Sequence, residues 1–321
     1  MSFFSIFLAL IIEQARPMSP SHFLHQWLRS WADWVTTHVD GGTRSQAWLA
    51  WGLIIGVPAG LAILIHWLLA YFLGWFFAVA WNVVLLYVTL GFRQFSHHFT
   101  GIRDALNDGD EPLARKLLAD WQQVEVNELP RNEIVRHVIE HSVLSAHRHV
   151  FGVFFSYALL SIVGLGPVGA VVYRIAEFAK RYWAQTPTLV SNTLPEHRNW
   201  TSTSLQEVVT DSWHAIDWIP ARATAMGFAI MGSFEDAMDG WRHHAEKFPN
   251  DNDGVILAAT AGAINVQLGG AALQPELPGS SSTPGRPPEL AHFAQVVGLV
   301  WRTVVMWLVL VALLSLANLL G

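Results

Sequence analysis

The sequence contains no cysteine, and charged residues make up only 14% of its 321 residues. Without cysteine, the chain has no disulfide, no thiolate metal site and no cysteine nucleophile. Soluble domains usually carry about 25% charged residues, so an ordinary cytosolic protein is disfavoured. The net charge of −6 offers no basic surface, which excludes nucleic acid as an expected partner. Apolar and aromatic residues dominate instead, at 52% hydrophobic with 16 Trp and 18 Phe, and they predict a membrane protein.

The longest uncharged interval lies between Arg44 and Arg93 and contains 48 residues. One helical bilayer crossing needs about 20 apolar residues, so this interval has room for two. We place them near 47–69 and 72–92, joined by a turn around Ala70–Tyr71. The interval therefore predicts a transmembrane helical hairpin.

Three further segments are apolar. Val150–Tyr173 is interrupted by glycines and a proline, which predicts a broken membrane segment, because irregular backbone is tolerated at depth when protein surrounds it. Thr303–Gly321 is uncharged and predicts a C-terminal crossing that begins a turn or two before Arg302. Phe3–Ile12 is too short to span alone, and predicts an interfacial or partly inserted helix.

The apolar segments, together with polar segments of helical pattern between them, predict an all-α, polytopic integral membrane protein. It has four or five membrane helices, with cytoplasmic helical segments between them. The flanks of the hairpin carry three basic residues (14–44) and seven (93–149), whereas the hairpin turn carries none. By the positive-inside rule both flanks are cytoplasmic, which predicts a multi-pass membrane protein.

We divide the chain by composition into seven parts, which alternate between membrane segments and polar segments. They are an N-terminal short apolar helix with an amphipathic segment (1–44), the transmembrane hairpin (45–92), cytoplasmic helices (93–149), the interrupted membrane segment (150–173), helices that line a ligand pocket (174–270), a flexible Pro/Gly/Ser linker (271–292) and the C-terminal transmembrane helix (293–321).

One short motif matches a catalytic pattern. His137, Glu140 and His141 have the H-x-x-E-H spacing of some zinc peptidases, which need imidazoles one helical turn apart and a carboxylate base. The chain has 15 His, so such a spacing arises easily by chance, and no third ligand can be picked out. The alternative is a helix whose histidines pack or face the membrane, and the identity of any bound metal is left open.

Two other stretches combine residues that bind ligands. Asp217-Trp218-Ile-Pro220-Ala-Arg222 places a carboxylate, an indole and a guanidinium at what the proline predicts to be a helix start. Asn252-Asp253-Gly254 precedes a run rich in Ala and Gly, a setting in which a helix N-terminus can bind a cation or a phosphate. The alternatives are a capping arrangement and a polar turn before a close-packed helix.

These stretches resemble motifs of the CobD/CbiB family of cobalamin-biosynthesis membrane proteins and of their relative AmpE. Ile219–Arg222 is similar to the family's I-P-A-R, and Asn252–Gly270 to its N-A-G…A-G-A…L-G-G. Leu106–Arg115 and Tyr173-Arg174 are similar to further family patterns. The resemblance covers most of the chain and implies the family's all-α membrane fold. For function it implies an adenosylcobinamide-phosphate synthase, which joins an amino-alcohol phosphate to a corrinoid carboxylate with ATP.

The chain departs from the family's acidic pattern E-S-x-x-E-N-x-x-D. Glu140 matches its first acid, whereas Leu144 and Arg148 replace its second acid and its Asp. In the following N-T-L-D, Glu177 and Lys180 replace the Asn and the Asp. Replacement of acids by cations predicts the loss of a metal site. The relative AmpE also resembles this chain in having an Arg at the position of Arg148. AmpE is regarded as a non-catalytic sensor linked to cell-wall or β-lactamase regulation. Both functions stay open.

The resemblance implies one ligand pocket for either function. If the chain is an enzyme, Glu140 and Asp217 are its catalytic residues, a corrinoid is its small-molecule ligand, and ATP and Mg²⁺ are its cofactors. The implied substrate-binding residues are Arg174, Glu177, Trp218, Arg222, Asn252, Asp253 and Gly254.

Overall fold

A computed structural model describes residues 2–15, 23–122, 129–184, 201–271 and 281–320. The regular elements in these ranges are helices, and no β-strand occurs there beyond a single bridge between Val266 and Arg286. The α-helices are α1 (Ser2–Ala15), α2 (Phe23–Val39), α3 (Arg44–Phe72), α4 (Trp75–Thr89), α5 (Phe92–Asn107), α6 (Glu111–Gln122), α7 (Arg131–Ala146), α8 (Gly152–Ile162), α9 (Val168–Ala184), α10 (Thr203–Met231), α11 (Phe234–His244), α12 (Asp251–Ile264) and α13 (Ala291–Leu320). A π-helical segment, His147–Phe151, joins α7 to α8.

The chain forms two compact units. The first unit comprises residues 1–90 and 153–218, and the second unit comprises residues 91–152 and 219–321. In the first unit α3 packs against α2, α4 and α9. In the second unit α7 packs against α5, α12 and α13, and α11 packs along α12.

Three helices are long and apolar enough to cross a membrane: Arg44–Phe72, Arg131–Ile162 and Ala291–Ala317. Two shorter helices, Phe3–Ala15 and Trp75–Thr89, are also apolar. Their outward side chains are large and hydrophobic, among them Leu64, Trp67, Phe76 and Leu313. Such surfaces are stable in lipid, and an all-α membrane protein is confirmed.

The hairpin forms as predicted, but its turn lies three residues later than expected. Helix α3 begins after a capping box in which the Thr43 hydroxyl accepts from the Gln46 amide, and it continues through Pro58 to Phe72. The turn falls at Leu73–Gly74, where Gly74 has a φ of 93° that side-chain-bearing residues rarely adopt. In an interval without charges, this glycine is what ends the helix.

The interruption predicted within 150–173 is confirmed. Helix α8 ends at Ile162 and α9 begins at Val168, with Gly164 and Gly166 at positive φ between them. The two helices then approach closely, because a Cβ on Gly169 would lie 1.9 Å from the Ser156 carbonyl oxygen. Glycine is therefore required for this contact.

The prediction that Pro220 lies in the first turn of a helix is wrong. Helix α10 runs from Thr203 to Met231, and Pro220 lies inside it. The helix begins instead where the Ser202 hydroxyl accepts from the Leu205 amide. Buried apolar residues such as Val208 and Trp213 extend the helix upstream, and their packing outweighs the loss of one backbone hydrogen bond at the proline.

The Ala- and Gly-rich run of α12 is a packing surface. A Cβ on Gly262 would lie 2.1 Å from the Asp236 carbonyl oxygen, and one on Gly240 would lie 2.6 Å from that of Ala258. The small residues therefore let α11 and α12 come into backbone contact. Helix α12 then ends at Asn265, whose left-handed φ of 51° turns the chain into an extended segment.

That extended segment closes on part of the predicted linker. The Thr283 amide donates to the Leu268 carbonyl at 2.7 Å, and the Leu268 amide donates to the Thr283 hydroxyl at 2.9 Å. The Gln267 amide donates to the Arg286 carbonyl at 2.8 Å. Residues 272–280 of the linker lie outside the described residues.

Candidate functional site

The second unit brings two of the predicted motifs together at the start of α12. Arg222 donates through Nη1 to the Asn252 side-chain oxygen at 3.0 Å and through Nη2 to an Asp251 carboxylate oxygen at 2.9 Å. Asn252 is 1% exposed, so its amide is held in a fixed orientation. Asp251 was not among the predicted residues, although it directly precedes them in the sequence.

A second ion pair involves Asp253, the next residue of α12. The Arg148 Nη2 contacts both carboxylate oxygens of Asp253, at 2.9 and 2.8 Å. Both side chains are only partly accessible to solvent. In the preceding residue of the π-helical segment, His147 shares a 2.9 Å hydrogen bond with the Thr224 hydroxyl. Arg148 and Asp253 are 105 positions apart, and no local pattern could have paired them.

Gly254 has a structural reason to be glycine. A Cβ at this position would lie 2.4 Å from the Ala245 carbonyl oxygen. Just before it, the Asn250 side chain caps α12 by accepting from the Asn252 amide at 3.2 Å. The segment from Asn250 to Gly254 is therefore fixed by its own backbone as well as by the two arginines.

Glu140 takes part in a different set of contacts. Its Oε1 accepts from the Gly269 amide at 2.7 Å and from Arg136 Nη1 at 3.0 Å. Arg136, which is buried, also donates to the carboxylate of Glu133 and to the Ala271 carbonyl at 2.7 Å. These bonds hold the segment 269–271 against α7. Sequence reasoning missed Arg136, although its i,i+4 spacing to Glu140 is a recognisable signal.

The two histidines of the H-x-x-E-H motif have separate surroundings. His137 is buried beside the Arg136 guanidinium, at 3.0 Å from its Nη2. His141 packs its ring edge-to-face on Trp121 at 4.4 Å. Across the described ranges, no group of three or more His, Asp or Glu side chains is arranged to hold a metal ion.

The remaining predicted residues lie in the first unit. The Tyr173 hydroxyl donates to Asp217 at 2.7 Å, and the Asp217 side chain is 1% exposed. Arg174 Nη1 donates to Glu177 at 2.8 Å, and Glu177 is buried. Trp218 is exposed. Tyr173 and Arg174, neighbours along α9, thus contact a buried carboxylate of α10 and the buried carboxylate of Glu177.

At the end of α9, Tyr182 contacts the amphipathic helix α2. Its hydroxyl donates to Asp33 at 2.7 Å, and the neighbouring Trp183 donates through Nε1 to the Thr36 hydroxyl at 3.0 Å. Burial, and then the hydrogen bond to Asp33, raise the pKa of Tyr182 from 10.0 to about 12. The phenol therefore stays protonated and keeps donating to Asp33 at neutral pH.

The helices, their apolar outer surfaces and the buried polar clusters together define a polar-cored helical membrane protein. The chain belongs to the CobD/CbiB family, because the family model described as CobD/Cbib protein matches residues 5–183, more than half of its length. No solved structure matches the chain at a significant level.

Curated relatives match this chain over different shares of its length. The Cobalamin biosynthesis protein CobD of Stutzerimonas stutzeri is 28% identical over 290 residues, 86% of each chain. Its namesake from Chromobacterium violaceum is 30% identical over 190 residues, 59% of this chain and 55% of that protein. A third, from Mycobacterium tuberculosis, is 42% identical over 65 residues, 19% of this chain and 20% of the relative.

Proposed function

We propose that this chain is a multi-pass inner-membrane protein of cobalamin biosynthesis that acts as an adenosylcobinamide-phosphate synthase. The reaction joins the amine of an amino-alcohol phosphate to a carboxylate of a corrinoid, with ATP supplying the free energy. The observation that carries this proposal is the Arg222–Asn252 hydrogen bond, which unites two family motifs that lie 30 residues apart. Relatives that are named for cobalamin biosynthesis support it.

Arg222 is suited to bind a phosphate group of ATP, the other substrate of the reaction. Its guanidinium has a planar fork of donors that matches phosphate oxygens. Its present partner Asp251 is 52% exposed on its side chain, so water can solvate that carboxylate if a phosphate replaces it. Asn252 holds the guanidinium in place during this exchange, which makes the amide a positioning group.

Asp217 is the carboxylate we assign to proton transfer. It is buried and accepts from Tyr173, an arrangement that fixes its orientation. Amide formation requires a proton to leave the attacking amine, and a buried carboxylate is a suitable acceptor. Glu140, the other predicted catalytic residue, has its Oε1 engaged by Gly269 and Arg136, and we now propose that it positions the 269–271 segment.

The donor set of the second unit does not fit a resident Mg²⁺ ion. Its nearest acids, Asp251 and Asp253, are each paired with an arginine. In the described parts of the chain they do not join a third acid or histidine. We therefore derive no step through a protein-bound metal, and propose ATP as a substrate rather than as a resident cofactor.

The test is rescue of cobalamin-dependent growth in a bacterium that lacks its own synthase. We expect the wild-type gene to restore growth, and Asn252→Ala and Asp217→Asn to abolish it while the protein still inserts in the membrane. The matched control is Arg103→Ala, an exposed residue of α5, which should rescue fully. Absence of rescue by an inserted wild-type protein would refute the synthase activity.

A non-catalytic, AmpE-like sensor is the second candidate, and the Arg148–Asp253 pair favours it. At the position of Arg148 the family resemblance implies an acid, which is a candidate metal ligand. This chain has a cation there instead, and Asp253 neutralises its charge. The sensor hypothesis expects deletion of the gene to change β-lactamase induction and a protein partner to co-purify. An unchanged induction profile together with successful synthase rescue would exclude this candidate.

A further inference from the structure

The break between α8 and α9 lies beside the far end of α3. A Cβ on Gly166 would lie 3.3 Å from the ring atoms of His66, so these residues are in contact. His66 follows Arg44 by 22 residues, about 33 Å along a helix. That distance equals the thickness of the hydrocarbon layer, about 30 Å. If α3 crosses the membrane, the break reaches the opposite face from Arg44.

The other end of α9 lies near the beginning of α3. Trp183 and Tyr182 are hydrogen-bonded to Thr36 and Asp33 of α2. Helix α2 ends at Val39, a few residues before α3 begins. Helix α9 therefore runs antiparallel to α3 and packs along it, from the far end of α3 back to its start.

Arg174 lies midway between these two anchors. It follows Gly166 by eight residues and precedes Trp183 by nine, which places it about 12 Å from one anchor and about 14 Å from the other. The Arg174–Glu177 ion pair and the Tyr173–Asp217 hydrogen bond occupy this same level. Charged side chains at such depth are costly, and in membrane proteins they mark substrate or ion pathways.

The guanidinium of Arg174 has donors to spare. Arginine carries five N–H groups, and within the part of the chain that the structure describes its one hydrogen bond runs from Nη1 to Glu177. The side chain is 16% exposed, so the protein does not cover it completely. Spare guanidinium donors in a site of low dielectric are suited to bind an oxyanion.

We propose that α8 and α9 form a membrane hairpin whose tip, Val163–Pro167, reaches the far face, and that Arg174 binds the phosphate of the amino-alcohol substrate at mid-depth. The substrate class rests on the proposed function, whereas the hairpin does not. The phosphate binds to guanidinium N–H groups that Glu177 does not use, and Glu177 keeps the guanidinium oriented. The phosphate is thus held inside the membrane-spanning part of the first unit.

The hairpin can be tested with single cysteines, because the native chain has none. Val163→Cys at the tip, which is 66% exposed, is compared with Leu73→Cys at the far end of α3 and Ser45→Cys at its start. A membrane-impermeant maleimide is applied to right-side-out and to inside-out vesicles. We expect Val163→Cys and Leu73→Cys to label from one side and Ser45→Cys from the other. Labelling of Val163→Cys together with Ser45→Cys would overturn the hairpin.

The site is tested by binding of ethanolamine phosphate to the full-length protein in lipid nanodiscs. Removing Arg174 alone unbalances the charge beside the buried Glu177, so the double variant Arg174→Gln/Glu177→Gln removes both charges together and is expected to keep the fold. We expect it to bind at least tenfold more weakly, and Arg44→Gln, an exposed cation at the start of α3, to bind within twofold of wild type. Equal binding by wild type and the double variant would overturn the site. Absence of binding by the wild type would overturn the ligand, and the labelling result would stand.

Discussion

Arg148 and Asp253 are both departures from the family pattern that the sequence resembles. Arg148 stands where that pattern has Asp, and Asp253 stands where it has Ala. The structure places the two side chains 2.8 Å apart, so the two departures compensate each other. The Asp253 carboxylate thus supplies a counter-charge to the partly buried cation of Arg148. The pair therefore keeps the α12 N-terminus neutral at this point.

This pairing predicts a measurable coupling. Arg148→Ala and Asp253→Ala should each lower the melting temperature in detergent, because each removes one charge of a partly buried ion pair. The double variant should lose less stability than the sum of the two, by about 1 kcal/mol. Arg103 and Asp104, an exposed pair, serve as the control and should couple by less than about 0.5 kcal/mol. Additive losses at Arg148 and Asp253 would contradict the compensation.

The phenol of Tyr182 provides a prediction about pH. Its pKa of about 12 means that it is still protonated at pH 11, so wild type and Tyr182→Phe should show equal phenolate absorbance at 295 nm. Asp33→Asn removes an acceptor and a negative charge that favour the protonated phenol, and should increase that absorbance between pH 10 and 11. Because the folded-state pKa is raised, stability from this bond is complete below pH 10 and is lost as the pH rises towards 12. Equal curves for Asp33→Asn and wild type would disprove the link.

At the level of elements, the glycines of α12 make a prediction about packing. Gly262→Ala places a methyl group against the Asp236 carbonyl in α11, and such overpacking costs about 1–3 kcal/mol. Gly298→Ala in α13 is the matched control, since no atom lies within 4 Å of its added Cβ. We expect thermal unfolding in detergent to show a clear loss for the first variant and none for the second. Equal stability of the two variants would show that the contact between α11 and α12 relaxes freely.

The elements also show what local sequence signals can and cannot predict. Absence of charge predicted the membrane hairpin, but the turn at Gly74 could not be located, because every residue nearby is apolar. Pro220 was taken as a helix start, yet burial of Val208 and Trp213 extends α10 through it. Local preferences are worth about 1–3 kcal/mol and are outweighed by burial of a helix face.

At the level of the whole molecule, the resemblance associated two residues that sequence spacing alone could not. It placed Arg222 and Asn252 in one pocket, and the structure joins them directly. It could not supply Arg148 as the partner of Asp253, 105 positions away, because the family pattern has no such pair to transfer. Contacts between residues that lie far apart in the sequence, and that occur in one chain and not across its family, can be identified only from the structure.

The apolar exterior makes a prediction about the whole chain. Broad surfaces of α3 and α13 carry exposed Leu, Val and Trp side chains, which water would not tolerate. After expression, we expect the protein to stay in the membrane pellet through an alkaline carbonate wash and to enter solution only with detergent. Release by carbonate alone would mean that it is held at the surface and does not span.

The bridge between Leu268 and Thr283 fixes two points of the chain independently of what joins them. Because both ends are pinned, lengthening the connection between Ala271 and Ser281 adds an entropic cost of closure of about 0.6 kcal/mol for each doubling of its length. An epitope of modest length inserted into this connection is therefore expected to leave the bridge in place.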